Sequence, residues 1–97
     1  MTSNHKLTAV LKGRTVTGTQ TQDHQLNMTF DDGSTMTVNT SDATVSAATG
    51  RTIAKVRQQG TQLALDFEDG GTMLIQLAEA TSSVMVRDQH HTLEYAD

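Results

Sequence analysis

Two short acidic stretches are the first candidates for chemistry in this chain. Asp31-Asp32-Gly33 sits within Thr29-Phe30-Asp31-Asp32-Gly33-Ser34-Thr35-Met36, and Glu68-Asp69-Gly70 sits 37 residues later within Asp66-Phe67-Glu68-Asp69-Gly70-Gly71-Thr72-Met73. Carboxylates that converge can share a proton and act as acid and base. They can also give oxygen ligands to Ca²⁺, which needs about six to eight from one neighbourhood. Other groups weighed for chemistry are His5, His24, His90 and His91 and the hydroxyls of Ser34, Ser41, Ser46, Ser82 and Ser83.

In carrying two acidic loops that end in Gly within a duplicated β chain, the sequence resembles the retroviral-type aspartic proteases, whose catalytic carboxylates lie in Asp-Thr-Gly or Asp-Ser-Gly loops. That resemblance implies a hydrolase in which the two loops meet in one dyad. The chain departs from the motif at its centre, where Asp32 and Asp69 replace Thr or Ser, and the second loop opens with Glu68. The flanks are polar or Phe, where the motif has small apolar residues.

The other chemistries have less support. Asp31-Asp32 offers two carboxylates and lacks the spaced Asp-x-Asp-x-Asp-Gly of a calcium loop. Zn²⁺ needs about three or four ligands at fixed geometry, and the histidines form no His-x-His pair, with His90-His91 adjacent in a turn. No serine stands in a Gly-x-Ser-x-Gly elbow, and Gly13, Gly18, Gly50 and Gly60 are isolated, so there is no phosphate loop. No catalytic, cofactor-binding or metal-binding residue is assigned, no cofactor is expected, and an enzymatic role is not expected.

The elements that would position the acidic loops follow from a repeat. Gln25-Leu26 matches Gln62-Leu63, Phe30 matches Phe67, Asp32-Gly33 matches Asp69-Gly70, Thr35-Met36 matches Thr72-Met73, and Ala43-Thr44 matches Ala80-Thr81, all at an offset of 37. Two copies of one supersecondary unit, about 25–44 and 62–81, are expected. A two-residue turn at Asp32-Gly33 would split the apolar residues between both faces. A three-residue loop, with Gly33 in the left-handed conformation, pairs Met28 with Met36 and Leu26 with Val38 on one face. In the second copy the same loop pairs Leu65 with Met73 and Leu63 with Ile75.

Seventeen Thr and many short alternating runs between Gly, Asp and Asn predict strands at Leu7–Leu11, Thr15–Thr19, Gln25–Phe30, Thr35–Asn39, Thr52–Arg57, Thr61–Phe67, Thr72–Leu77, Val84–Arg87 and Thr92–Tyr95. The last two are expected to form a hairpin across Asp88-Gln89-His90-His91, with Val86 opposite Leu93 and Val84 opposite Tyr95. One short helical turn is expected near 42–49, capped by Ser41 or Asp42 and ended by Gly50. The fold class is therefore all-β, a small antiparallel sandwich or flattened barrel of eight or nine short strands in a single domain, 1–97.

Composition narrows the function. The net charge of −4 opposes general attraction to phosphate backbones, so nucleic acid is not an expected partner. Charge is unevenly placed: residues 1–22 carry Lys6, Lys12 and Arg14 without an acid, an arm that can pair with the acidic body within one chain or between two. With no cysteine there is no disulfide or thiolate site. The N-terminus lacks a secretory apolar segment and no run is long enough to span a membrane, so a bacterial-type cytoplasmic location and no membrane partner are expected.

The back of the second hairpin carries Ala64 and Leu74 where the first has polar residues, which suits a central or interface position. The expected function is a non-enzymatic protein-interaction or assembly module that self-associates, with a homodimer favoured. The alternative is a β-barrel binding a small apolar ligand, and a hydrolase built on the two acidic loops ranks third.

Overall fold

A computed structural model describes residues 2–41 and 48–97. Its organisation starts from the two acidic turns. Gly33 has φ +87° and Gly70 φ +91°, the left-handed conformation that a residue without a Cβ adopts readily. Each turn closes in the same way, with Gly33 N–H donating to Phe30 C=O at 3.1 Å and Gly70 N–H to Phe67 C=O at 3.0 Å. These closures fix the expected registers: Met28 opposes Met36, Leu26 opposes Val38, Leu65 opposes Met73 and Leu63 opposes Ile75.

Nine strands and one helix are present among the described residues: β1 Thr2–Ser3, α1 His5–Leu11, β2 Val16–Gln22, β3 Gln25–Phe30, β4 Thr35–Asn39, β5 Ile53–Gln59, β6 Gln62–Phe67, β7 Thr72–Gln76, β8 Val84–Arg87 and β9 Leu93–Ala96. They form two antiparallel sheets, one ordered β1-β5-β6-β7 and the other β2-β3-β4-β8-β9. The meanders β2-β3-β4 and β5-β6-β7 match at an offset of 37 in both strand limits and turns. They also share a register shift, between Val16 and Gly18 in one and between Ile53 and Lys55 in the other. The turns into β3 and β6 take positive φ at Asp23 (+55°) and Gly60 (+56°).

The inner faces of the two sheets meet in one core. Leu26, Met28, Phe30, Met36 and Val38 pack against Leu63, Leu65, Phe67, Met73 and Ile75, and Val16, Ile53 and Val56 fill between them. The sheets are joined at two corners by isolated bridges, Thr15 to Thr52 and Thr40 to Leu77, and each bridge links positions 37 apart. This is the sandwich of the expected all-β class.

Three expectations need correction. Leu7–Leu11 is helix, not strand: Leu7 and Leu11 fit a period of two as well as a spacing of four, and the tie is decided elsewhere. Asn4 caps the helix, its Oδ1 accepting from Leu7 N–H at 3.0 Å. Leu7 and Leu11 are buried, with Val10 packed beside them. A helix of seven residues is too short to persist alone, so this apolar face holds it in place.

The C-terminal hairpin departs from the expected register, by one residue at Arg87 and by two from Val86 onward. Val86 opposes Tyr95 and Arg87 opposes Leu93, with Glu94 as the extra residue of a bulge. The loop itself closes through Asp88, whose N–H donates to Thr92 C=O at 2.9 Å. Finally, β2 runs to Gln22 and β5 to Gln59, beyond the apolar alternation, because pairing across tight turns carries polar Gln20-Thr21-Gln22 into the ladder. The helical turn expected near 42–49 lies outside the described residues, except that Ala48 is buried and Gly50 follows with φ +87°.

Replacing Gly33 or Gly70 by Val forces a β-branched residue into positive φ, and each variant is expected to lose about 1–3 kcal/mol of folding stability in urea denaturation. Gly33 is the more sensitive site, because a Cβ there would lie 3.0 Å from the Gln89 Cβ, whereas Gly70 has nothing within 4 Å. An unchanged midpoint in both variants would refute the turn assignment.

Candidate functional site

The carboxylates of the acidic turns face arginines, not each other. Arg14 and Arg51 sit 37 residues apart, each just before the strand that opens its half. Arg14 Nε lies 3.3 Å from Asp32 Oδ2, and Arg51 Nε lies 2.9 Å from Asp69 Oδ2 with a second contact at 3.0 Å to Oδ1. Each carboxylate also closes its own turn: Asp32 Oδ1 accepts from Ser34 N–H at 2.9 Å and from the Ser34 hydroxyl, and Asp69 Oδ1 accepts from Gly71 N–H at 2.8 Å. Asp31 reaches back to accept from Thr15 N–H at 3.2 Å, and Glu68 is exposed. The Arg51 guanidinium lies over the Phe67 ring, 4.3 Å from its centroid.

These partners set the acidity of the turns. Burial pushes the Asp32 carboxyl up, but the hydrogen bonds from Ser34 and the charge of Arg14 together outweigh it and hold the group below the usual carboxylate range. Asp69 is lowered by its hydrogen bond from Arg51 and by Gly71 N–H. Carboxylates held ionised by fixed cations are poor proton shuttles. Chemically the pairs fasten the turns.

A second acidic group gathers at Arg14. The bulge in β9 turns Glu94 towards it, and Arg14 Nη2 contacts Glu94 Oε1 at 3.0 Å and Oε2 at 2.9 Å. Asp32, Asp88, Gln89 and His90 line the same shallow cleft. Asp88 is lowered by the backbone N–H of Thr92, against the effect of burial, with help from His90 N–H. Arg14 Nη1 is buried and has no hydrogen-bond partner among the described residues. Of the three cations of the basic arm, Arg14 pairs with the acidic body within one chain, through Asp32 and Glu94. Glu94 as its partner was not legible, because a bulge leaves no mark in the alternation of Leu93-Glu94-Tyr95.

The remaining candidates stay apart. Among the described residues no three His, Asp or Glu side chains form a group able to hold a metal ion. His90 and His91 occupy the turn before β9, with His91 at φ +64°. Ser34 and Ser83 are buried and bonded locally, Ser83 Oγ donating to Glu79 C=O at 2.8 Å. No described helix is long and apolar enough to cross a membrane.

No family model, curated protein or solved structure matches this chain.

The feature with no structural task inside the fold is an edge. In the first half β8 covers β4, pairing Thr35–Val38 with Val84–Arg87, and Ser83 C=O accepts from Asn39 N–H at 2.7 Å. In the second half β7, the counterpart of β4, pairs only with β6 in its sheet among the described residues, apart from the corner at Leu77. On the outer face of that sheet Ala64 is fully buried, because Arg57 lies opposite it and reaches along to Asp66 at 2.6 Å, and Thr72 donates to Asp66 at 2.7 Å. Beside this patch Leu74 is 60% exposed, the most exposed large apolar side chain described. Of the apolar pair expected on that face, Ala64 is thus covered and Leu74 is not.

The arginine-bound carboxylates predict an acid limit to stability. Asp66 is lowered by its hydrogen bond from Arg57, against burial and with help from Thr72. Its folded value thus lies below the unfolded value of about 3.9, so the stabilisation it gives is present in full above that pH and is lost as pH falls through the folded value. The urea midpoint should hold from pH 7 to about 5 and fall below about 4. Asp66→Asn should lower the midpoint at pH 7 and shrink the difference between pH 7 and 3, and a variant with the full wild-type difference would show that Asp66 has no part in it.

Proposed function

We propose that this protein is a non-enzymatic protein-interaction or assembly module that self-associates as a homo-oligomer, most simply a dimer, in the cytoplasm. The observation that carries the reading is the unequal treatment of two equivalent edges. β4 is covered by β8, while β7, with Leu74 exposed at its middle, has no strand on the side away from β6 among the described residues. An edge strand presents unpaired N–H and C=O groups, and proteins ordinarily blunt such edges with charge, Pro or a bulge. Thr72-Met73-Leu74-Ile75-Gln76 carries no charge and no Pro, and no register shift is present in its pairing with β6.

The other features fit a binding module more readily than an enzyme. The acidic turns are occupied by arginines, and the interior is filled by side chains of both sheets. The charge of −4 weighs against a nucleic-acid partner. Sedimentation across a concentration series should give a mass that rises from one chain towards two. A mass of one chain throughout, up to a hundred-fold above low micromolar concentration, would overturn the reading.

A further inference from the structure

We infer that β9 is a releasable cover on the edge of β8, locked by Arg14 through Glu94, and that Ser34 is the residue that turns Arg14 towards it. The device does not depend on self-association. Burial does not hold β9 in place. None of Leu93–Ala96 is buried, Leu93 is 48% exposed, and Tyr95 alone packs against the core. Of the other described strands, only the two-residue β1 likewise buries no side chain. A segment with so little apolar burial belongs to the low end of local stability. Its ladder to β8 is interrupted by the bulge at Glu94. The side-chain ties that reach β9 from elsewhere in the fold are Arg14 Nη2 on both oxygens of Glu94, at 3.0 and 2.9 Å, and the Asn4 amide on the Tyr95 hydroxyl at 3.1 Å.

The second half shows what an arginine at this place does when no β9 is beside it. Arg51 closes on both oxygens of Asp69, with Nε at 2.9 Å and Nη2 at 3.0 Å, and its guanidinium covers the Phe67 ring. Arg14 keeps only Nε near Asp32, at 3.3 Å, and sends Nη2 to Glu94. One position of the turn separates the two cases: Gly71 in the second half, Ser34 in the first. Arg51 fills the space beside Gly71, where an added Cβ would fall onto Arg51 Nη2 and lie 2.7 Å from Cζ. Ser34 carries that Cβ and is buried, and its hydroxyl donates to Asp32 Oδ1, the counterpart of the oxygen that Arg51 Nη2 holds. Arg14 is thus kept off the inner position and directed outwards, where the bulge presents Glu94.

The lock decides where the five-stranded sheet ends. With β9 in place, Val84 and Val86 of β8 are buried, and the N–H groups of Val84 and Asp88 donate to Asp97 and Thr92. With β9 lifted, β8 becomes the edge and those groups are free for another strand.

Amide hydrogen exchange followed by NMR on the whole chain separates this opening from global unfolding. The Val84 and Asp88 amides should exchange faster than those of Val16 and Ile53, which bond across the junction of the two halves. Equal rates would mean that β9 leaves only when the sandwich unfolds, and would overturn the cover. Glu94→Gln should speed Val84 and Asp88 about fivefold, the upper range for a partly exposed ion pair, and leave Val16 and Ile53 unchanged. Ser34→Gly should do the same without touching β9, by opening the inner position to Arg14. In the Glu94→Gln background Ser34→Gly should add nothing, because both act through one contact. No change at Val84 and Asp88 in Glu94→Gln overturns the lock. A Ser34→Gly variant that speeds all four amides alike, or that adds its full effect to Glu94→Gln, overturns the role of Ser34.

Discussion

The junction at Thr15 and Thr52 is the constraint on which the rest of the molecule depends. Val16 N–H donates to Arg51 C=O at 2.9 Å and Ile53 N–H to Arg14 C=O at 3.0 Å, while the hydroxyls of Thr15 and Thr52 lie 2.7 Å apart. The contacts repeat at an offset of 37: Val16 with Arg51 mirrors Ile53 with Arg14, and Thr15 meets its own counterpart, Thr52. A chain crossing itself in this way must present the same backbone twice, and it does: Gly13 and Gly50 both take φ +87° and donate to Ile53 and Val16 respectively. Each hydrogen bond contributes only about 1 kcal/mol net. Together they nonetheless orient both meanders, because the strands leaving the junction start the two sheets. They also aim Arg14 and Arg51 at the acidic turns of their own halves.

Equal halves would leave equal edges, and the segments outside the meanders are what make them differ. β1 lies along β5, with Thr2 opposite Gln58, and α1 packs behind it through Leu7 and Leu11. β8 and β9 extend the other sheet from β4. Asn4 fastens these additions together, capping α1 and donating from its amide to Gln58 at 3.0 Å and to the Tyr95 hydroxyl at 3.1 Å. Both additions therefore meet on one side of the molecule. The β7 edge receives neither, and among the described residues only the corner at Thr40 and Ser41 touches it, at Gln76 and Leu77.

What could be read from the sequence was whatever local pattern fixes. The limits of β3, β4 and β8 and the three-residue turns at Gly33 and Gly70 follow from alternation and from the need to gather Met28, Met36, Leu65 and Met73 on one face. What escaped depends on partners distant in the chain. Leu7 and Leu11 suit a strand or a helix until Asn4 and the floor beneath them are known. Glu94 is displaced by a bulge whose cause is the closure of the Asp88 loop. The acidic turns were legible as turns, but not the arginines that hold them, since Arg14 and Arg51 lie 18 residues from Asp32 and Asp69.

The acidic turns also bear on where charge sits relative to β7. Asp32 and Asp69 lie beyond the strand ends, and their charge is spent on arginines of the same half. The same holds for Asp66, which is bound by Arg57 across the outer face of β5 and β6. With these acids paired in place, the stretch between Asp69 and Glu79 carries no charge of its own, and Thr72 meets Asp66 only through a hydrogen bond. Exposed ion pairs add little to stability, about 0–1 kcal/mol each. Their larger consequence here is positional: they fix each charge at a turn or on the outer face of β5 and β6, beside the arginine of its own half.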